Sequence, residues 1–293
     1  MKIARAGERW CITWPNDPVD ARVYTKLSAW IRESHDYSAL GASKRAEYDK
    51  VRTTVNREFG ANVTLDQAIS LRNIILKDKV IKNYNRMNMH IARIALKYAD
   101  GESIVVLSRA HDFPPLNLLR GILLLKYEPK AIYDIFANRV PPADLEDRDR
   151  EQYALAFDHD AESTFNQQLA AKVAADNELR VIEFFRATGI QLLTQDDLSA
   201  QQIQEFGRAV ITPDVLFLDV VEINGKRVNW IDYKDYLGTG VSFLHRSNTA
   251  QAAKYTQKWG RGAMCFHRGY VEGLLIGDAA LLDARALPVK LKQ

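Results

Sequence analysis

The sequence predicts an α/β protein in which an all-helical N-terminal region precedes a region that combines helices with a sheet. Residues 20–98 carry the apolar spacing of amphipathic helices and few strand signals. Short apolar runs rich in strand formers instead lie after residue 190, and helical sequence separates them. These two observations place the sheet in the C-terminal part of the chain.

Four helices are expected in the front half, with Gly60 and Gly101 as stop signals. Thr64 and Gln67 have the spacing of a capping box, in which the two side chains satisfy backbone N–H groups at a helix start. The expected helices cover residues 20–33, 42–58, 64–82 and 86–98.

A helix-turn-helix-like segment is predicted near residues 102–126. A short helix is followed by a tight break, and Pro114-Pro115 opens a second helix. Such a motif can place its second helix in the major groove of DNA. This second helix is heavily apolar, with Asn117, Arg120 and Lys126 as its polar positions. A purely structural helical hairpin is therefore at least as well supported as a DNA reader.

Charge and composition divide the chain into three parts. Residues 1–140 form a basic helical region, with 23 Lys and Arg against 15 Asp and Glu. Residues 141–162 are an acidic stretch that we interpret as a connector, and residues 163–293 form the expected α/β domain. A basic region suits attraction to a polyanion. A solvated helical surface explains the same charges, and on charge alone it is the better interpretation.

Cysteine content and apolar patterning also indicate the cellular compartment. The two cysteines, Cys11 and Cys265, are too few for a disulfide framework and favour a reducing environment. The segment 1–15 lacks the apolar core of a secretory signal, and no apolar run is long enough for a membrane helix. We therefore expect an intracellular protein without a membrane partner, in the nucleus, the cytoplasm or both if the host is eukaryotic.

Two short motifs, Thr212-Pro213-Asp214 and Asp232-Tyr233-Lys234, carry the candidate chemistry. Strand-like sequence at 215–221 and 228–233 flanks the hairpin turn signal Asn224-Gly225. Because a hairpin brings its outer ends together, the two motifs are expected side by side. Two carboxylates and a lysine that converge at a sheet edge resemble the site of PD-(D/E)xK nucleases.

The hairpin register decides whether these side chains share a face of the sheet. A two-residue loop would oppose Asp232 to Phe217 and put Asp214 on the other face. A three-residue loop, Asn224-Gly225-Lys226, would return Asp214 to the shared face. We therefore expect a bulged loop, or a bend near Pro213, rather than a two-residue turn.

The residue types at these positions suit hydrolysis of a phosphodiester, which needs a cation at the phosphate and an activated water. Magnesium prefers oxygen ligands, so Asp214 and Asp232 are candidate ligands and the carbonyl of Tyr233 is a further one. Mg²⁺ is the expected ion, and Mn²⁺ is the alternative. Lys234 is expected to orient or help to deprotonate the water, or to stabilise developing charge.

A helix-borne acid commonly completes such a site, and Glu178 is the candidate. An apolar run follows it and would dock its helix on the sheet. Glu183 is the competitor. It lies five residues on, about 140° round the helix, so the two glutamates cannot both face the site.

From Glu178 to about residue 271 the chain resembles the codanin-interacting nuclease family, which is also described by its TPD motif. Besides Glu178 and the two motifs above, the matching positions are Gly238, Gln251, Trp259-Gly260, Gly262 and Gly269-Tyr270. The resemblance implies a restriction-endonuclease-like domain with a mixed sheet behind a helix-turn-helix region. It implies a metal site at Glu178, Asp214 and Asp232, and a catalytic Lys234. In related nucleases, a polar residue on the helix of Gln251 often supports the site.

This resemblance sets the functional expectation, a magnesium-dependent endonuclease that prefers DNA, and it raises a codanin-like protein as a partner. RNA is the nearest alternative substrate, because no motif here identifies the sugar. An alternative of another class is a catalytically quiet nucleic-acid-binding or adaptor protein on a nuclease fold. A helix-turn-helix regulator would leave the carboxylates unexplained.

Overall fold

The computed structural model describes residues 1–33, 45–137, 140–160 and 164–288. The chain forms two compact units, and neither is continuous in sequence. Unit 1 comprises Met1–Lys26, Ala61–Leu71 and Val173–Gln293, and unit 2 comprises Leu27–Gly60 and Arg72–Lys172. The first residues of the expected helix 42–58 and the end of the acidic stretch, 161–162, lie outside the described residues.

Helices dominate the front half, as the sequence predicts. In the described ranges they are α1 (Ala21–Glu33), α2 (Arg45–Phe59), α3 (Leu65–Ala99), α4 (Ile104–His111), α5 (Pro115–Leu123), α6 (Pro129–Phe136), α7 (Asp147–Asp158), α8 (Thr164–Ala187), α9 (Gln195–Phe206) and α10 (Ser242–Trp259). Within those ranges, no helix combines the length and the apolar character needed to cross a bilayer.

Helix α3 joins two helices that were expected to be separate. The ranges 64–82 and 86–98 form one helix of 35 residues. The sequence between them contains neither glycine nor proline, so nothing there interrupts the backbone hydrogen bonds. The capping box is present, because Gln67 N–H donates to Thr64 Oγ1 at 3.2 Å and Thr64 N–H donates to Gln67 Oε1 at 2.9 Å.

The helix-turn-helix-like segment of unit 2 consists of α4 and α5. Asp112 ends α4 in the left-handed region at φ 46°, and α5 starts at Pro115. Most of α5 is core, since six of its nine residues are buried. Lys126, one of its expected polar contacts, pairs with Glu146 at 2.5 Å and Asp149 at 2.9 Å. This burial supports the structural interpretation of the hairpin.

The acidic stretch differs from the expected connector, because most of it folds as α7 within unit 2. Asp149 of this helix is 2% exposed. Its carboxylate accepts hydrogen bonds from Tyr98 Oη at 2.8 Å and Tyr127 Oη at 2.6 Å, besides the contact with Lys126. A buried carboxylate satisfied in this way fixes a helix in the core and does not leave it as a solvated link.

Unit 1 contains two mixed sheets. The first has the order β1 (Lys2–Ala6), β2 (Arg9–Thr13), β5 (Val220–Ile223) and β6 (Lys226–Arg227). The second has the order β3 (Leu192–Thr194), β4 (Val215–Phe217), β7 (Trp230–Lys234), β8 (Ala263–Phe266) and β9 (Ala280–Asp283). The first two strands lie in the region expected to be helical, and β2 pairs in parallel with β5.

The expected three-residue loop is wrong. Glu222 pairs with Arg227 and Ile223 with Lys226, so the loop is the two-residue Asn224-Gly225. Both loop residues have positive φ, 51° and 75°, which is the conformation of a type I′ turn.

Asp214 comes to the face of Asp232 for another reason. The chain passes from the second sheet to the first before the turn, and it returns to the second sheet after the turn. In the second sheet, Val215 pairs with Ile231 and Leu216 with Trp230. This register is offset by three residues from the register of β5 and β6. An odd offset exchanges the faces of the sheet, and continuing the register of β4 and β7 by one residue sets Asp214 opposite Asp232.

Two helices cover the second sheet. The C-terminal half of α8 packs Val181 and Phe185 in one core cluster with Ile231. Helix α10 packs Ala252 and Tyr255 in another cluster, together with Trp230, Met264 and Phe266. Alternation along β7 therefore sends Ile231 towards α8 and Trp230 towards α10, so both faces of the strand are buried.

Several glycines matched by the family resemblance owe their place to close packing. A Cβ at Gly262 would lie 2.0 Å from Cδ2 of the fully buried Trp230. A Cβ at Gly238 would lie 2.8 Å from Tyr270 Cβ. Gly260 has φ 79°, and its carbonyl accepts the indole N–H of Trp230 at 2.8 Å. In this chain, these glycines therefore let the backbone pack closely against aromatic residues.

We expect Gly262→Ala to lower the free energy of unfolding by about 3 kcal/mol or more, because the indole ring of Trp230 has no space to retreat. Gly240→Ala is the matched control, since a Cβ there meets nothing within 4 Å. The urea midpoint followed by tryptophan fluorescence measures both. Equal midpoints for the two variants would contradict the close approach.

Candidate functional site

Asp214 and Asp232 lie side by side at the start of β4. Asp214 precedes β4, and its Oδ2 accepts the N–H of Tyr233 at 2.6 Å. The two aspartates are 9% and 2% exposed, respectively. The strand register thus places two carboxylates in a largely dry environment, where charge is costly unless a cation compensates it.

Lys234 supplies one such cation. It lies two residues after Asp232 on the same face of β7, and its Nζ is 2.5 Å from Asp232 Oδ2. That oxygen is buried and accepts no well-aligned hydrogen bond in the described structure. The contact is therefore a close ion pair whose angles depart from ideal hydrogen-bond geometry.

Gln251 on α10 forms hydrogen bonds with both members of the Asp232–Lys234 pair. Its Oε1 accepts from Lys234 Nζ at 2.9 Å, and its Nε2 donates to Asp232 Oδ1 at 3.0 Å. The same Nε2 lies 2.8 Å from Tyr255 Oη, which donates to the Thr212 carbonyl at 3.2 Å. Sequence reasoning missed Tyr255, although it lies four residues after Gln251 and so shares its helix face.

The two helix glutamates occupy different environments, as their angular separation requires. Glu178 is half-buried, and Glu183 is exposed. Burial first, and then the charges of Asp232 and Asp196, raise the pKa of Glu178, while Lys234 opposes this shift. The pKa of Glu178 thus depends on the charges of Asp232 and Lys234.

The site holds more negative than positive charge. Burial, followed by the charges of Asp232 and Glu178, raises the pKa of Asp214 to about 8. Burial also raises the pKa of Asp232, although Lys234 counteracts it. For Lys234, burial lowers the pKa and the neighbouring Asp232 raises it, with a net rise. The lysine therefore stays protonated while the carboxylates resist ionisation.

Tyr233 contributes its backbone to this edge and its side chain to the opposite face. Its hydroxyl lies 3.1 Å from Asp235 Oδ1 and 2.7 Å from His267 Nδ1. The N–H and C=O of one strand residue point to the same side, so the Tyr233 carbonyl also points towards Asp214. Continuing the register places Pro213 opposite, and proline has no N–H to donate to that carbonyl.

These groups fit a divalent cation that keeps part of its water shell. Within the described ranges, no group of three or more His, Cys, Asp or Glu residues is spaced to hold a metal ion, so Glu178 does not complete such a set. Magnesium commonly uses only one or two protein carboxylates together with waters and substrate phosphate. Two neighbouring aspartates, of which Asp232 raises the pKa of Asp214, suit that mode of binding.

Comparison with known proteins gives one match. Residues 146–283 match the family model described as "Protein of unknown function TPD sequence-motif". Neither the curated proteins nor the solved structures contain a match to the chain. The matched segment includes Glu178, Asp214, Asp232, Lys234 and Gln251, so the region that builds the candidate site carries the sequence pattern of the TPD family.

Proposed function

We propose that the TPD region is a PD-(D/E)xK-type domain and that the protein is a magnesium-dependent phosphodiester hydrolase acting on nucleic acid, with DNA preferred. The observation that carries this proposal is the convergence of Asp214, Asp232 and Lys234 at one buried sheet edge. Structural ion pairs are normally balanced, whereas here Asp232 and Glu178 raise the pKa of Asp214, and the acids outnumber the lysine.

In this proposal, Asp214, Asp232 and the Tyr233 carbonyl hold the ion. A bound magnesium ion would supply positive charge at the scissile phosphate and lower the pKa of the attacking water. Glu178 stands nearby as an acid that can accept a hydrogen bond from that water or from the water shell of the ion. Mn²⁺ has similar ligand preferences and is the alternative ion.

Lys234 is best suited to orient the water and to stabilise negative charge as it develops on the phosphate. Its raised pKa keeps the ammonium charged near neutral pH, which argues against a role as proton acceptor in the metal-free protein. Gln251 fixes both partners of the pair at once, because its oxygen faces Lys234 and its nitrogen faces Asp232. This arrangement supports preorganised electrostatic stabilisation.

Two alternatives remain distinct from this proposal. An RNA-cleaving enzyme would use the same groups, because none of them contacts a sugar. A quiet nucleic-acid-binding or adaptor protein would keep the fold without hydrolysis, and the family resemblance adds a codanin-like partner to the proposed interactions. The convergence of Asp214, Asp232 and Lys234 favours the hydrolase.

We expect Asp214→Asn and Asp232→Asn each to reduce magnesium-dependent cleavage by at least about a hundredfold, since each change removes a ligand charge and little volume. Cleavage is measured on single-stranded, duplex, flap and junction DNA and on RNA. Asp278→Asn is the control, because this aspartate is 72% exposed in its side chain. Wild-type rates in both site variants would mean that the site is wrong, and inactivity of the wild type on every substrate would favour the adaptor.

Glu178→Gln should weaken cleavage strongly and raise the magnesium concentration needed for half-maximal rate. Glu183→Gln should act only mildly, because that side chain is exposed and lies on another face of α8. Magnesium titrations of the two variants make the comparison with the same chemical change on one helix. A stronger defect in Glu183→Gln would reverse the assignment.

The raised pKa of Asp214 predicts a pH dependence of stability. Its ordinary value is 3.8, and folding raises it to about 8. The stability contributed by the protonated carboxyl is fully present below the unfolded pKa and is lost as the pH rises to the folded pKa. In EDTA, the thermal midpoint of the wild type should therefore fall between about pH 5 and pH 8, and that of Asp214→Asn should fall less.

Magnesium should show the opposite trend, because it binds the ionised carboxylate. Its apparent affinity should rise with pH up to about 8 and then level off. Calorimetric titration at several pH values measures this. Identical pH profiles of thermal stability for wild type and Asp214→Asn would refute the assigned titration.

A further inference from the structure

One face of α3 carries a continuous row of basic residues. Five basic residues follow one another at spacings of four, four, three and four positions. At ~100° per residue they fall within a sector of about 80°, and at ~1.5 Å per residue they extend over about 22 Å. All five are exposed. We call this surface the α3 basic face, and its residues are Lys82, Arg86, His90, Arg93 and Lys97.

This face points away from the core of unit 2. Met87, Ile94 and Tyr98 belong to the core cluster and lie about 100° round the helix from the centre of the basic sector. The core therefore accounts for one side of α3 and not for the basic residues on the other. Long basic side chains that only solubilised a helix would be expected to alternate with acids, and α3 has no acidic residue between Asp78 and its end at Ala99.

Most of these basic residues have no acidic partner. Lys82 Nζ pairs with Asp78 Oδ2 at 2.6 Å. In the part of the chain that the structure describes, no ion pair or side-chain hydrogen bond engages the other four. Their charges also reach α4: burial, and then Lys97, Arg93 and His90, lower the pKa of His111. The positive potential therefore extends beyond the single helix.

We propose that the α3 basic face is the surface of unit 2 that contacts the phosphate backbone of a nucleic acid, an inference that rests on the proposed function. The expected alternative, helix α5, is mostly buried, and Lys126 beside it is neutralised by two acids. Over about 22 Å one strand of B-form DNA presents roughly six phosphates at ~3.4 Å axial spacing, so the face can meet several of them. Contacts of this kind give affinity without sequence preference.

The test uses the full chain carrying Asp232→Asn, so that binding is measured without cleavage. The face variant adds Arg86→Gln, Arg93→Gln and Lys97→Gln. The control variant adds Arg32→Gln, Lys130→Gln and Lys172→Gln, which remove the same charge from exposed positions elsewhere in unit 2. Fluorescence anisotropy with a labelled 20-base-pair duplex in EDTA, at 50 to 300 mM salt, gives the affinity and its salt slope for each protein.

We expect the face variant to bind at least tenfold more weakly than its parent at 100 mM salt. The slope of log K against log salt should become shallower by about two to three, since each lost phosphate contact removes about 0.9. The control variant should change both much less. Single variants Arg86→Gln and Arg93→Gln, each with a slope change of about 0.9, provide the same test with minimal perturbation.

Equal affinity and slope in the face variant and its parent would overturn the inference, as would equal losses in the face and control variants or a parent that binds no duplex. The proposed function is judged separately, from magnesium-dependent hydrolysis of bis(p-nitrophenyl) phosphate with Asp232 intact. The face substitutions lie in unit 2 and change none of the site residues of unit 1, so they should leave hydrolysis of this small diester unchanged. If the protein hydrolyses the small diester but the face variant binds DNA as its parent does, only the inferred surface is refuted. If the face variant loses DNA binding but the protein with Asp232 intact hydrolyses no diester, only the proposed enzymatic function is refuted.

Discussion

The pairing of β4 with β7 is the constraint on which the candidate site depends. It sets Asp214 against the backbone of Tyr233 and beside Asp232, at an edge where both carboxylates are nearly excluded from water. Bringing two buried acids together is unfavourable, and Lys234 compensates only part of their charge. The surrounding elements hold this arrangement in place, because Gln251 and Tyr255 of α10 tie the ion pair to the chain just before Asp214.

The register itself is produced by the change of sheet between β4 and β5. Asp219 lies at that crossing, and its Oδ2 accepts the indole N–H of Trp10 at 3.1 Å and the Gln191 N–H at 2.9 Å. Asn224 anchors the turn beyond it through two hydrogen bonds to the backbone of Trp14. Strands from the N-terminus of the chain therefore fix the geometry of a hairpin more than 200 residues away, and a fragment restricted to 163–293 would lack them.

The sequence was informative where local chemistry decides the outcome and less so where distant segments meet. The motif residues, the capping box at Thr64 and the helices of the front half follow from spacing and residue type. The pairing of β2 with β5 does not, because Arg9–Thr13 is short and only its Ile12 is fully buried. The sequence predicts that Asp214 shares the face of Asp232, through a bulged loop or a bend near Pro213. Nothing local marks Leu218-Asp219 as the crossing between sheets that sets the register.

The incomplete ligand set has a consequence for how the proposed enzyme would bind its substrate. With Glu178 outside any three-residue metal group, an ion held by two aspartates and a carbonyl would draw its remaining ligands from water and phosphate. Metal and nucleic acid would then bind cooperatively, and the coupling must be equal in both directions because both are binding equilibria. The raised pKa of Asp214 also couples ion binding to proton release, since the carboxyl must lose its proton before it can bind the ion. In the proposed enzyme, the release of the Asp214 proton, the binding of the ion and the binding of the substrate would therefore favour one another.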